Sequence, residues 1–271
     1  MRLRGALKNK MPAFFISHGA GPCFWVDWGG PNPFKGLELF FERIPSLLPS
    51  IPKGVLVISA HWEESDFTIQ TNPAPSILYD YYGFPENTYR LEYPALNSET
   101  LIQRTISLLE KEGIIINQDA NRGYDHGVFV PFLKIFPDAR IPITQISLKK
   151  SMVPSEHFAL GRVLAPLRSE GILIVGSGMS YHNLREINDK ERKSDVFDEW
   201  LTKTLVGPKK ERENKLKFWE KAPNARFCHP REEHLIPLMV VAGCAEEDQG
   251  EKVFSERMVN WNFMSSSFKF E

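Results

Sequence analysis

Residues 55–61, with the sequence VLVISAH, decide the fold, because they form an apolar, largely β-branched run that ends in a histidine. Such a run is typical of a strand that helices cover on both faces, as in a parallel sheet. Three further stretches place a histidine where an apolar run ends or shortly beyond; they are residues 14–18 (FFISH), 172–182 (ILIVGSGMSYH) and 232–237 (EEHLIP). Because ligands of open α/β sheets bind beyond the carboxyl ends of the strands, we expect these histidines to converge on one point. A metal ion is the simplest occupant.

The rest of the chain alternates predicted strands with predicted helices. Further strands are predicted at 114–117 and 143–147, and helices at 98–112 and 155–169. The charged region 188–220 predicts two exposed helices joined at Gly207-Pro208, and a last helix is predicted from near Glu232 to Cys244 with Pro237 in its first turn or at a kink. Since 271 residues suit one α/β domain of enzyme size, we take residues 1–271 as a single domain.

Composition narrows the class of partner. The 33 lysines and arginines nearly balance 34 aspartates and glutamates, so nothing in the charge favours nucleic acid or an anionic membrane. The three cysteines have no paired spacing, which argues against a disulfide framework and a thiolate zinc site. No apolar stretch reaches the roughly 18 residues of a spanning helix, and the basic start is too short for a signal peptide. We therefore expect a cytoplasmic protein that acts on small molecules.

The seven histidines need weighing, because one histidine after a strand is more often an ordinary hydrogen-bonded residue than a ligand. His157 lies inside a predicted surface helix, and His229 before Pro230 is typical of a turn. The other five share loop or helix-start settings rich in Gly, Ser and Asp; they are His18, His61, His126, His182 and His234. The HExxH motif is missing, and Gly176-Ser177-Gly178 fits neither a dinucleotide fingerprint nor a GxSxG elbow.

Taken in order, eight motifs carry a family resemblance: ISHG (16–19), ISAHW (58–62), YGFP (82–85), GYDHG (123–127), PITQIS (142–147), GSG (176–178), HNLR (182–185) and EHLIPL (233–238). Together they resemble class III extradiol ring-cleavage dioxygenases of the DOPA 4,5-dioxygenase type, within the LigB superfamily. The resemblance implies a single α/β domain with a central mixed, mostly parallel sheet flanked by helices. It also implies an oxidoreductase with a mononuclear non-haem metal site, which opens a catechol such as DOPA with dioxygen.

The resemblance also assigns roles to residues. His18 and His61 correspond to metal ligands, and His234 to a third ligand, with the adjoining Glu233 as the alternative. Two successive residues of the predicted helix would point about 100° apart, so at most one of them is expected to reach the metal well. His182 corresponds to the catalytic acid and base, and closes the coordination sphere when zinc is bound; His126 corresponds to a second catalytic histidine beside substrate and dioxygen. Fe(II) is expected for activity, and zinc as the ion found after purification.

The sequence leaves open the roles of several residues that lie near the candidate histidines. Asp125 either orients His126 or caps a helix over residues 128–135, and Cys23 lies close in sequence to the first ligand. Eight aromatic residues either form the wall of a substrate pocket or belong to the core: Trp25, Trp28, Trp62, Tyr79, Tyr82, Phe84, Tyr124 and Phe129. Two other functions remain open, a zinc-dependent hydrolase and a catalytically silent LigB-fold binding or scaffold protein. No oligomeric state is predicted.

Overall fold

The computed structural model describes residues 10–245, 247–259 and 261–271. Strands in these ranges are β1 (Ala13–Ser17), β2 (Gly54–Glu64), β3 (Phe67–Gln70), β4 (Ile116–Asp119), β5 (Ile143–Lys149), β6 (Ile172–Gly178), β7 (Gly250–Arg257) and β8 (Met264–Phe270). These eight form one sheet in the order β4-β3-β5-β2-β6-β1-β8-β7. The four central strands, from β5 to β1, run parallel, whereas β8 and β7 add an antiparallel edge. The predicted mixed, mostly parallel sheet is confirmed.

Helices connect and cover the strands. They are α1 (Lys35–Arg43), α2 (Glu99–Lys111), α3 (His126–Ile135), α4 (Pro154–Leu164), α5 (Pro166–Ser169), α6 (Lys193–Val206), α7 (Lys209–Lys217), α8 (Ala225–Cys228) and α9 (Ile236–Cys244). The predicted helix at 98–112 is α2, capped by the hydroxyl of Ser98, which accepts a hydrogen bond from the backbone of Leu101. The predicted pair around Gly207-Pro208 is α6 and α7. Among the described helices, none has the length and apolar character needed to cross a bilayer.

In β2 and β6 the runs 55–58 and 172–175 are apolar without interruption because helices cover both faces of these strands. Helices α3 and α9 both pack against β2 and β6. Successive residues of a strand point to opposite faces, and in β6 Gly176 approaches α9 whereas Ser177 reaches the backbone of α3. Residues 55–58 of β2 are accordingly fully buried. The sheet thus presents the carboxyl ends of β1, β6 and β2 side by side at one edge, where the candidate site lies.

Several boundaries differ from the predictions. The last helix begins at Ile236 and not near Glu232, because Pro237 occupies its first turn and the preceding residues form turns. The strand predicted at 114–117 is β4, displaced by two residues. His61 does not follow the strand but lies within β2, which continues past a register shift between Ile58 and Glu63. His157 is fully buried, although its helix was predicted to be at the surface. Strands β3, β7 and β8 and helix α1 were not predicted.

Candidate metal centre and active site

Three of the predicted ligands come together at the edge of the sheet. Donor atoms of His18, His61 and His234 all lie within 4.8 Å of one another. The Nε2 atoms of His18 and His61 are 3.1 Å apart. Two ligands that each lie about 2.0–2.1 Å from one ion, at right or tetrahedral angles, are separated by about 2.9–3.4 Å. The residues present therefore fit a single divalent metal ion.

Strand β6 anchors the segments that carry these histidines. His18 directly follows β1, and its backbone nitrogen donates to the carbonyl of Gly178 at 3.0 Å. His234 lies in the turn before α9, and its carbonyl accepts from the backbone nitrogen of Met179 at 2.9 Å. His61 lies in β2, the neighbour of β6 on the other side from β1. The three side chains therefore converge because three adjacent chain segments end or bend at the same height of the sheet.

The Gly176-Ser177-Gly178 motif explains how His234, the third candidate ligand, can come so close. A β-carbon at Gly178 would overlap the carbonyl oxygen of His234, and one at Gly176 would lie 2.6 Å from the carbonyl oxygen of Pro237. Only glycine allows the start of α9 to lie directly on this strand. Between the two glycines, the Ser177 hydroxyl lies 3.0 Å from Nδ1 of His18. Neither the glycines nor Ser177 had been assigned these roles from the sequence.

Hydrogen bonds orient the imidazoles of His18 and His234, and a longer polar contact faces that of His61. Ser177 donates its hydroxyl hydrogen to the carbonyl of Gly127, so its oxygen is left to accept the Nδ1 hydrogen of His18. Oε1 of Glu233 accepts from Nδ1 of His234 at 2.9 Å. Nδ1 of His61 faces Oδ2 of Asp80 at 3.6 Å. The two hydrogen bonds place a hydrogen on Nδ1 of His18 and of His234, which leaves the Nε2 lone pair of each available, as metal-binding histidines require.

His182 and His126 adjoin the three candidate ligands. The ring of His182 stacks on that of His234 with centroids 3.4 Å apart, and its Nδ1 lies 3.0 Å from Oε1 of Glu233. His126 begins α3, and its ring lies 3.9 Å from that of His61. The sequence analysis missed Asp80, whose Oδ1 binds both Nδ1 and the backbone nitrogen of His126 at 2.9 Å. Asp80 is 46 residues away along the chain, in an irregular segment without a motif.

Neither interpretation of Asp125 is supported. Asp125 occupies the N-cap position of α3, but its side chain makes no capping hydrogen bond. Its carboxylate instead accepts from Ser59 at 2.7 Å, from Gln145 at 2.6 Å and from Arg122 at 2.8 Å. Arg122 also donates to the carbonyl of His61 at 3.2 Å. Asp125 therefore fixes the β2 backbone that carries His61 and does not contact the imidazole of His126.

Burial and hydrogen bonding favour neutral imidazoles at the three candidate ligands and charged carboxylates at Glu233 and Asp80. Burial, followed by the neighbouring histidines, lowers the pKa of His61 to about 3 and the pKa values of His18 and His234 well below the ordinary value. Burial by itself would raise the pKa of Glu233, but hydrogen bonds from His182 and His234 lower it well below normal. Partial burial by itself would also raise the pKa of Asp80, but the hydrogen bond with His126 outweighs it and lowers that pKa below its ordinary value. Neutral imidazoles with two anions behind them form a site that attracts a cation.

A cavity of about 490 Å³ opens onto all five histidines. Of the predicted aromatic set, only Tyr82 and Phe84 line it; the other aromatic lining residues are Phe34, Tyr81, Tyr181, Trp261 and Phe263. Tyr124 and Phe129 belong to the core. Cys23 is fully buried beneath the loop after His18 and does not line the cavity, and burial raises the pKa of its thiol to about 12. It is therefore not a thiolate beside the metal.

Comparisons with known proteins agree with this geometry. Residues 12–268 match the family described as the catalytic LigB subunit of aromatic ring-opening dioxygenase. A 4,5-DOPA dioxygenase extradiol from Beta vulgaris is 36% identical, over 98% of this chain and 98% of that protein. One of the same name from Escherichia coli (strain K12) is 32% identical over 87% and 85%. A crystal structure of an uncharacterized E. coli K12 protein superposes with a TM-score of 0.74 at 27% identity, covering 96% of this chain and 100% of that one.

Proposed function

Because this chain belongs to the LigB family of aromatic ring-opening dioxygenases, we propose that it is an iron-dependent extradiol dioxygenase acting as a single catalytic domain. Its substrate is a catechol, whose ring it opens beside the two adjacent hydroxyls. DOPA, the catechol in the names of several relatives, is the reference substrate. Both atoms of dioxygen and all atoms of the catechol enter the product, so the reaction needs no other reductant. The observation that carries the proposal is the convergence of five histidines on one aromatic cavity.

We assign the metal to His18, His61 and His234, whose donor atoms all lie within 4.8 Å of one another. A ferrous ion held there would supply redox chemistry with dioxygen, which zinc lacks, and would leave coordination positions open for substrate. Glu233 is the positioning residue and not the third ligand, since Oε1 is already shared by two imidazoles. Its negative charge strengthens both imidazoles as bases.

We assign the proton transfer to His182. Its Nδ1 hydrogen points to Glu233, which leaves Nε2 free to take a proton from a catechol hydroxyl and return it during ring opening. His126, held by Asp80, lines the same cavity and supplies a second polar group beside the reacting ring.

The test is ferrous loading without oxygen, followed by admission of oxygen together with catechol, DOPA and related rings. We expect one dioxygen consumed per ring opened, followed by the absorption of the conjugated product and by an oxygen electrode. Zinc-loaded protein is the matched control and should show little turnover. Absence of oxygen uptake with every catechol would overturn the proposal, and equal turnover with zinc would overturn the assignment of iron. Ester or amide hydrolysis by the zinc form would favour the hydrolase alternative.

A further inference from the structure

The walls of the cavity that opens onto the histidines are mainly aromatic and apolar. One wall is built from Phe34, Tyr181, Trp261 and Phe263, with Tyr181 and Phe263 stacked at 4.6 Å and Phe34 and Trp261 in edge contact at 4.9 Å. Tyr81 and Phe84 face the loop after His18. Apart from the five histidines, none of the described lining residues is an aspartate, glutamate, lysine or arginine. The volume, about 490 Å³, falls within the roughly 300–1,000 Å³ typical of drug-sized ligands and exceeds what a bare catechol ring fills.

Three polar side chains in these walls, those of Tyr81, Tyr181 and Asn183, are already engaged by the protein. The hydroxyl of Tyr81 donates to the carbonyl of Thr88 at 2.6 Å, and that of Tyr181 donates to the carbonyl of Glu186 at 2.6 Å. The amide of Asn183 donates to the carbonyl of Phe227 at 2.7 Å and accepts from the backbone of Arg185 at 3.1 Å. A charged substituent in this cavity would lose its hydration without gaining these groups as partners, which is costly.

A second groove borders His61 and His234 and contains Arg122 and Arg231, which could in principle receive a carboxylate. Both guanidinium groups already have anionic partners. Arg231 makes two hydrogen bonds to Glu63, at 2.6 and 2.5 Å, and Arg122 binds Asp125 at 2.8 Å. The carboxylates behind the histidines, Asp80 and Glu233, add negative charge nearby. The electrostatics of the site therefore disfavour a carboxylate on the substrate.

From these contacts we infer that the preferred substrate is a catechol with an uncharged, apolar substituent, and that amino-acid catechols such as DOPA are poorer substrates. This inference rests on the proposed function and narrows its substrate class. The substituent lies against Trp261 and Phe263 while the ring hydroxyls face the histidines. Each methylene buried there contributes hydrophobic free energy that tightens binding about fourfold.

The experiment compares catechols of similar length and different charge: 4-propylcatechol (neutral), dihydrocaffeate (carboxylate), dopamine (ammonium) and DOPA (zwitterion). We expect kcat/KM of the iron enzyme to be at least tenfold higher for 4-propylcatechol than for any charged member. Calorimetric titration of zinc-loaded protein with the same four compounds gives the order of affinities without turnover. The outcomes separate the two ideas, because failure of the iron enzyme to open all four compounds and unsubstituted catechol contradicts the function, whereas a preference for a charged member contradicts only the substrate class.

Two exposed leucines provide a charge-introduction test that does not disturb the core. Leu184 lies at the mouth of the cavity and is 73% exposed, whereas Leu39 lies on α1 and is 53% exposed. Leu184→Arg should raise the ratio of kcat/KM for dihydrocaffeate to that for 4-propylcatechol by about tenfold, and Leu39→Arg should leave it unchanged. Arg185 is the cation next to Leu184 in the chain. A large loss of dihydrocaffeate binding in Arg185→Gln would show that this side chain receives the carboxylate, and would overturn the inference.

Discussion

The Oδ1 atom of Asp80 lies 2.9 Å from the imidazole Nδ1 of His126 and 2.9 Å from its backbone nitrogen. One oxygen therefore fixes both the start of α3 and the rotation of the ring. The other oxygen, Oδ2, faces Nδ1 of His61 at 3.6 Å. Glu233 likewise contacts two histidines, His234 and His182, but through the single oxygen Oε1. Each carboxylate thus couples one candidate metal ligand to one candidate catalytic histidine.

Replacement of Asp80 tests this coupling. We expect Asp80→Asn to retain iron but to lower kcat by about 10–100-fold, because an amide keeps the shape and removes the charge that orients the imidazole. The measurements are iron content and steady-state kcat and KM over a pH series. Asp66→Asn is a suitable control, since that carboxylate makes only a 3.7 Å ion pair with Lys149, away from the cavity. Unchanged kcat in Asp80→Asn would contradict the positioning role.

A second prediction concerns Gly178, where glycine is required because the backbone of His234 leaves no room for a side chain. Gly178→Ala forces its β-carbon against the carbonyl oxygen of His234, so the ligand and the strand must separate. We expect metal affinity to fall at least tenfold and the free energy of unfolding to fall by about 1–3 kcal/mol, as overpacking typically costs. Metal titration and chemical denaturation measure the two effects. Gly30→Ala, where nothing lies near the added carbon, is the matched control; equal metal affinity in both variants would refute the prediction.

The central strands and the candidate ligands His18 and His61 could be predicted because an apolar run in the local sequence marks each of them. An apolar run buried on both faces shows itself in residues 55–58, and His18 follows such a run directly. Strand β8 has the opposite character. Its serines at 265–267 are polar in the sequence but buried in the structure. They can be buried because hydrogen bonds such as that from the Ser17 backbone nitrogen to the Ser267 hydroxyl satisfy them. Burial of that kind leaves no hydrophobic pattern in the sequence.

The start of α9 shows a different limit. Pro237 in a first turn places the helix start at Ile236, as the structure has it, whereas the predicted start near Glu232 had left a kink at Pro237 as the alternative. Glu233 and His234 therefore lie in a turn, and the argument from helical spacing does not apply to them. Asp80 could not be predicted at all, because its role depends on a contact between segments 46 residues apart.

His157 provides a prediction about acid stability away from the metal centre. Burial lowers its pKa to about 4, and its two ring nitrogens bind the carbonyl of Val153 and the backbone nitrogen of Lys149. In the unfolded chain its pKa is about 6.5, so the unfolded state binds more protons between these values. Its contribution to folding is therefore complete above pH 6.5 and falls by about 1.4 kcal/mol per pH unit as the pH drops toward 4.

We accordingly expect metal-free His157→Gln to be less stable than the natural protein at pH 7 but to lose less further stability between pH 6.5 and pH 4. Denaturant unfolding at a series of pH values measures this. Leu201→Ala, which truncates a fully buried side chain of another helix, α6, serves as control because it should lower stability equally at each pH. If His157→Gln and the natural protein lost stability in parallel on acidification, the titration of this histidine would not be responsible.

The last prediction separates ligand from base at His182. Its backbone nitrogen is held by the carbonyl of Cys228 at 2.9 Å, and its ring stacks outside that of His234, on the side of the cavity. We expect His182→Ala to retain ferrous ion and lose single-turnover rate by about two to four orders of magnitude, the usual contribution of a positioned proton-transfer group. His61→Ala should instead lose the metal, since its Nε2 is one of the converging donors. Iron content and single-turnover rate, measured on the same samples, decide the matter. Parallel loss of iron and activity in His182→Ala would make His182 a ligand, and His126 would then be the base to test.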